Sequence, residues 1–202
     1  MDAEARAGII ASLPEEVSLL LRIEELDEIE RQNPLASNPR KERVGEHSWF
    51  IAVCVPLLAA FSSEPIDIPK ATLLAVVHDV VEAFVGDTFA FGPDVVDQHS
   101  REHAAMQKLT SEYSSPSVAR LVELWDEYEA QETPEARFVK GIDAFVPILF
   151  NFTNVEHSSW VEHGVRAEQV QKRLDRVRNA LGNLAAINDQ MIRQAQSDGN
   201  LL

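Results

Sequence analysis

The chain has 202 residues, 45% of them hydrophobic, enough to bury the core of one ordinary domain and no more, so a single domain over 1–202 is expected. Its net charge of −15 excludes a protein that coats DNA, RNA or an anionic membrane, although one small phosphate in a locally basic pocket is compatible with it. A lone cysteine, Cys54, excludes an internal disulfide, and an acidic N-terminus with no apolar run approaching roughly 20 residues points to a cytoplasmic protein without a membrane partner.

In chain order, Ser12-Leu13-Pro14-Glu15 reads as a helix start, followed by Val17, Leu20, Leu21, Ile23, Leu26 and Ile29 at helical spacing. Residues 31–43 hold two prolines, two asparagines and a serine, which predict a loop, and four cations, Arg31, Arg40, Lys41 and Arg43, the densest basic island in the chain. Residues 44–61 form an apolar helix with His47 in its first turn, Trp49, Phe50 and residues 53–58 as packing positions, and a bend at Pro56. Pro69 opens a central buried helix through LLAVVHDVVEAFVGDT, which Gly86 ends, leaving Asp87 on the following loop. Phe89 and Phe91 then stand in an irregular stretch, available to wall a pocket or to pack in the core.

A polar helix over 93–113 carries His99 and His103 at i and i+4, a spacing that fits either a metal or solvent-exposed histidines. Further helices are expected over 118–130, with Leu121, Leu124, Trp125 and Tyr128 on one face, and from Thr133-Pro134-Glu135 to Phe152. Asp143 lies inside the second, four residues before Pro147, which should kink it and help aim the carboxylate, with Arg137 and Lys140 nearby as ion-pair partners. Residues 151–164 read as a loop in which Asn154, Trp160 and His163 could border a pocket, and 165–195 as one or two amphipathic helices interrupted at Gly182. No strand is convincing, so the fold class is all-α.

The chemistry concentrates in the central helix. His78 and Asp79 are consecutive, and Glu82 follows one turn later on the same face. Charged groups in a buried helix are costly unless something binds them; the two readings are a metal ion and a structural His–Asp ion pair. Adding His47 and Asp143 makes a set of two imidazoles and two carboxylates without thiolate, which suits one divalent ion such as Mn, Co, Fe or Zn.

This ordered set, Glu46-His47-Ser48-Trp49, then His78-Asp79 with Glu82 and Asp87, then Ala136-Arg137-Phe138 and Asp143, resembles the HD-domain superfamily of metal-dependent phosphohydrolases, in particular its 5'-nucleotidase-like branch. The resemblance covers residues 31–163 and implies a helical bundle with N- and C-terminal packing helices around that core. It implies metal ligands at His47, His78, Asp79 and Asp143, acid–base roles at Glu82 and Asp87, and a phosphate contact at Arg31. The reaction implied is hydrolysis of a small phosphomonoester, a nucleoside 5'-monophosphate above all, by water activated on the ion. Relatives are often dimers, so a homodimer is among the expected assemblies. Two other functions stay open: a di-iron oxygenase, which the wider superfamily contains and for which His99 and His103 would be the extra ligands, and a catalytically silent metal-binding module. Bound metal separates them, at one ion per chain for the hydrolase and two for the oxygenase.

Overall fold

A computed structural model describes residues 2–202. The longest helix, Pro134–Thr153 (α8), is buried on almost every side, as an element with Phe138, Val139, Ile142, Val146 and Ile148 around its circumference must be. Thr133 caps it by accepting from the Ala136 amide, with Pro134 at the first position. Helices Val44–Leu58 (α3), Ile68–Val77 (α4) and Pro116–Ala130 (α7) surround it on one side, and Ala167–Leu181 (α10) and Leu184–Ser197 (α11) on the other. Together they share one apolar core that runs from Ile51 and Leu74 through Ile142 to Leu174, Leu181 and Ile192. Gly182, at φ +46°, makes the break between α10 and α11, where a side chain would be strained.

The contact between α8 and α10 depends on Gly141. A Cβ built there would lie 2.5 Å from the Ala180 Cβ and 3.4 Å from the Leu181 Cγ, so the two helices approach where only glycine fits. Gly141→Ala should destabilise the fold by about 1–3 kcal/mol, measured as a shift in the urea midpoint at unchanged slope.

Residues 31–43 are not a loop. Glu30–Leu35 (β1) and Asn38–Arg43 (β2) pair antiparallel around a two-residue turn at Ala36-Ser37, with Glu30 opposite Arg43 and Leu35 opposite Asn38. Pro34 and Pro39 are tolerated because a two-stranded ribbon is all edge, and the register is irregular around Pro34. Asn154, at the end of α8, closes the hairpin by donating to the carbonyls of Leu35 (2.8 Å) and Asn38 (2.9 Å), so it serves the ribbon and not a pocket.

The central segment also departs from one continuous helix. α4 ends at Val77, residues 78–81 form tight turns, and a single turn Glu82–Val85 (α5) follows before Gly86 at φ +76°. The amides of Val80, Glu82, Ala83 and Phe84 donate to carbonyls three residues back, the narrower winding that replaces the four-residue pattern there. Near the N-terminus, Ala3–Ala11 (α1) precedes Glu15–Ile23 (α2), which is anchored by Leu19 against Met106, Leu109 and Trp125, while Val17, Leu20 and Leu21 are exposed, against the packing role expected of them.

Trp49, Val53 and Leu57 likewise form an exposed stripe on α3 instead of packing inward; the buried side holds His47, Ile51, Cys54 and Val55. The 18 residues 44–61 have a mean hydropathy of 1.5 and so do approach the length and composition of a membrane span, which the expectation of no such run had missed. The contacts of α3 with α4 and α8 account for its buried apolar side, Ile51, Cys54 and Val55, and not for the exposed stripe.

Candidate metal centre

His47 and His78 come from different helices and meet. Their ring centroids are 5.4 Å apart, and His47, His78 and Asp79 offer ligand atoms all within 4.8 Å of one another. Asp143, from the middle of α8, completes the convergence, its Oδ1 3.2 Å from His47 Nε2. Asp79 Oδ2 lies 3.1 Å from His78 Nε2, 3.8 Å from His47 Nε2 and 3.0 Å from Arg31 Nη1. Of the four residues placed at a cation by the sequence, His47, His78 and Asp79 form one tight cluster, and Asp143 stands beside it through His47.

The ring orientations favour a ligand role over a structural ion pair. His78 Nδ1 is 2.8 Å from the Ala75 carbonyl, which can only accept, so Nδ1 donates there and Nε2 is the nitrogen turned to the site. His78 Nε2 is buried and has no hydrogen-bond partner, and neither has Glu82 Oε2. An orphaned imidazole nitrogen beside carboxylates, with nothing to donate to it, fits a divalent cation.

His47 is aimed by a residue the sequence reading passed over. Glu42, on β2 and 1% exposed, holds Oε2 3.1 Å from His47 Nδ1 and 3.3 Å from Arg31 Nε, close contacts that lie off the hydrogen-bond line. Pairing Glu30 with Arg43 sets Arg31 beside Glu42 across the ribbon, so the hairpin register brings them together. One buried carboxylate thus steadies both the His47 ring and the Arg31 guanidinium. Glu42→Gln should weaken divalent-ion binding by about 10–100-fold, read by calorimetry, because a charged acceptor behind the imidazole is replaced by a neutral one.

Burial and the Arg31 charge both push His47 toward its neutral form, but Glu42 and Asp143 outweigh them and hold the metal-free imidazole up, to about 9. Burial alone would raise the Asp79 and Asp143 carboxyls; His78 and Arg31 keep the first low, and His47, His78 and Arg173 keep the second low. Glu82 goes the other way, raised by burial and by Asp79 and Asp87. Asp87 is raised too, by burial and Asp79, against the pull of Arg31, whose Nη1 stands 3.6 Å away. The site therefore holds two carboxylates kept ionised beside the imidazoles and two carboxyls that retain their proton to higher pH. Tyr128, buried on α7, donates its hydroxyl to Asp143 Oδ2 at 3.3 Å and steadies that carboxylate.

The site opens into a cavity of about 450 Å³. Phe89, Phe91 and Trp160 line it, along with Glu82, Asp87 and Arg31. Phe89 and Phe91 meet edge to face at 5.5 Å, and the His163 ring lies tilted against Phe89 at 4.5 Å, beside the cavity and not inside it. His99 stands at the rim, three-quarters exposed and 3.3 Å from Glu129, while His103 meets Gln107. Among the described residues, His47, His78 and Asp79 are the one group whose ligand atoms cluster tightly enough for an ion. Arg137 pairs with Glu64 and Lys140 with Glu129, while Glu46 accepts from the Arg43 amide and pairs with Arg40 at the start of α3.

A helical bundle with a His–Asp pair at the end of one helix, a histidine in the first turn of a second and an aspartate inside a third defines a class of metal-site protein. Residues 23–184 match the HD domain family, and the chain belongs to that family. It is 33% identical over 121 residues to the 5'-deoxynucleotidase HDDC2 of Homo sapiens, covering 58% of each chain, and 32% identical over 119 residues to the 5'-deoxynucleotidase hdd1 of Schizosaccharomyces pombe, covering 56% of this chain and 58% of that one. The match thus spans under two thirds of the length of these curated relatives. A solved structure from Magnetospirillum magnetotacticum, described as a predicted metal-dependent phosphohydrolase, is 34% identical and superposes over 92% of this chain and 93% of its own with a TM-score of 0.83.

Proposed function

We propose that the chain is a metal-dependent phosphohydrolase acting on nucleoside 5'-monophosphates, deoxyribonucleotides included, with one ion held by His47, His78, Asp79 and Asp143. The observation that carries this reading is the cluster of His47, His78 and Asp79, with Asp143 against His47, beside an open cavity lined by Glu82, whose buried Oε2 has no hydrogen-bond partner. The names of the relatives favour a nucleotide, and the aromatic lining of Phe89, Phe91 and Trp160 suits the flat face of a base.

A divalent ion in this set supplies Lewis acidity toward a phosphate oxygen and makes water a competent nucleophile near neutral pH. Glu82 and Asp87 are the proton-transfer pair: one takes the proton of the attacking water and the other delivers a proton to the departing 5'-oxygen, so that ester and water become alcohol and phosphate. Their raised carboxyls suit that exchange, because a group holding its proton to higher pH acts as acid or base close to neutrality. Arg31, braced by Glu42, Asp79 and Asp87, sets a positive charge beside the ligands and lessens the repulsion that a phosphate would otherwise meet from them.

Phosphate release across ribo- and deoxyribonucleoside 5'-monophosphates and simple sugar phosphates, each with Mn, Co, Fe and Zn, tests the reading. Release from nucleotides at about one ion per chain is expected. Two ions per chain would point to the oxygenase chemistry, and one ion with no release from any substrate would leave a silent metal-binding module.

A further inference from the structure

Arg31 is an incomplete answer to how a dianionic phosphate is held. Its guanidinium is already surrounded by Glu42, Asp79 and Asp87, and Lys140 is engaged by Glu129 at 3.0 Å and the Tyr128 ring at 4.3 Å. Their charge is largely matched within the protein. In a site that also holds Glu82 and Asp143, a phosphate needs cations that are not already taken.

Two such cations line the same cavity, Arg173 and Arg176, one turn apart on one face of α10. Among the described residues neither side chain makes a hydrogen bond. The only carboxylate oxygen within ion-pair reach of Arg173 is Asp143 Oδ2, at 4.0 Å, the outer limit of such a contact. The Arg173 side chain is 20% exposed, and its Cζ lies 5.9 Å over the Phe91 ring that walls the cavity. Leu174 and Val177, fully buried, lock the helix that carries the pair, so the guanidinium groups are presented from a rigid element. A largely buried guanidinium without a bonded anion is costly on its own, and a phosphate accepting from its fork would remove that cost.

We propose that Arg173 and Arg176 form the phosphate-binding arm of this site, taking the phosphoryl oxygens of a phosphomonoester beside Asp143. The proposal rests on the phosphohydrolase reading and adds to it the group that holds the substrate's charge. It places recognition of the phosphate on the C-terminal helix, and it leaves Arg31 to balance the carboxylates around the ion.

The test measures binding of inorganic phosphate, by calorimetry, to the Mn2+-loaded full chain and to its Arg173→Gln, Arg176→Gln and Arg173→Lys variants, with Mn2+ affinity measured on each. Arg173→Gln should weaken phosphate binding by about tenfold to a hundredfold and Arg176→Gln by about tenfold, as loss of charged hydrogen bonds does. Arg173→Lys should recover part of the loss, and Mn2+ affinity should be unchanged throughout. In turnover, KM for the nucleotide should rise more than kcat falls. Phosphate affinity equal to wild type in both glutamine variants overturns the proposal. So does a parallel loss of Mn2+ affinity, which would show the arginines acting through Asp143, or an absence of phosphate binding in the wild type. The phosphohydrolase reading fails separately, if wild type releases no phosphate from any nucleotide, because the binding measurement needs no turnover.

Discussion

Asp79→Ala should remove the ion and, with it, all measurable phosphate release. Asp79 Oδ2 is the atom on which both imidazoles and the Arg31 guanidinium converge, at 3.1, 3.8 and 3.0 Å, so its loss takes away a ligand and leaves a cluster of nitrogen donors with less negative charge to offset a second cation. Divalent-ion affinity should drop by at least about a thousandfold, more than the 10–100-fold typical of losing a residue behind a ligand. The fold should survive, because Arg31 keeps Glu42 and Asp87 as partners. Ion affinity and far-ultraviolet circular dichroism on the same sample decide the matter. A folded Asp79→Ala chain that binds the ion as tightly as wild type would remove Asp79 from the ligand set.

Glu82→Gln separates binding from chemistry. Glu82 makes no contact with either imidazole and is buried with an oxygen that lacks any partner, so the ion should bind as before while kcat falls by about a hundredfold to ten-thousandfold, the range for losing a positioned acid or base. The same substitution should raise the melting temperature of the metal-free chain at pH 7. Burial, Asp79 and Asp87 raise the Glu82 carboxyl in the folded state, so above the unfolded value of about 4.3 the chain must either bury an ionised carboxylate or take up a proton, and either lowers stability. Below that value the group is protonated in both states, and the substitution should change nothing. Melting curves at pH 4 and pH 7 read the sign directly. Turnover retained in Glu82→Gln would end its assignment to proton transfer.

The candidate ligand residues were legible because metal chemistry restricts residue type and spacing. A shared cation accounts for His78-Asp79 and His47 within apolar helices together with an aspartate inside another, and in the fold His47, His78 and Asp79 cluster with Asp143 beside His47. The helices that carry them were legible for a related reason, since Pro69, Pro134 and Gly86 mark ends and the apolar periodicity marks faces. The hairpin was not. A ribbon of Arg, Gln, Asn, Pro and Lys has no alternating apolar face to announce it, and it forms because its turn is capped by Asn154 and its inner face is filled by Arg31 and Glu42. The winding at residues 78–81 was hidden as well, because its residues are as compatible with a regular helix as with the tighter turns they adopt.

Composition and local pattern by themselves determined an acidic, helical chain with a two-imidazole, two-carboxylate set and one basic island over residues 31–43. Tertiary packing decided which cations stand close to carboxylates and which do not. Glu42, Tyr128 and the Arg173–Arg176 pair lie on three separate elements, and nothing in their local sequence distinguishes an arginine facing Asp143 from a solvated one on an amphipathic helix. The physical reason is range: helix faces and caps follow from residues three or four apart, whereas the electrostatics of a site depend on burial and on neighbours that only the closed fold brings within a few ångströms.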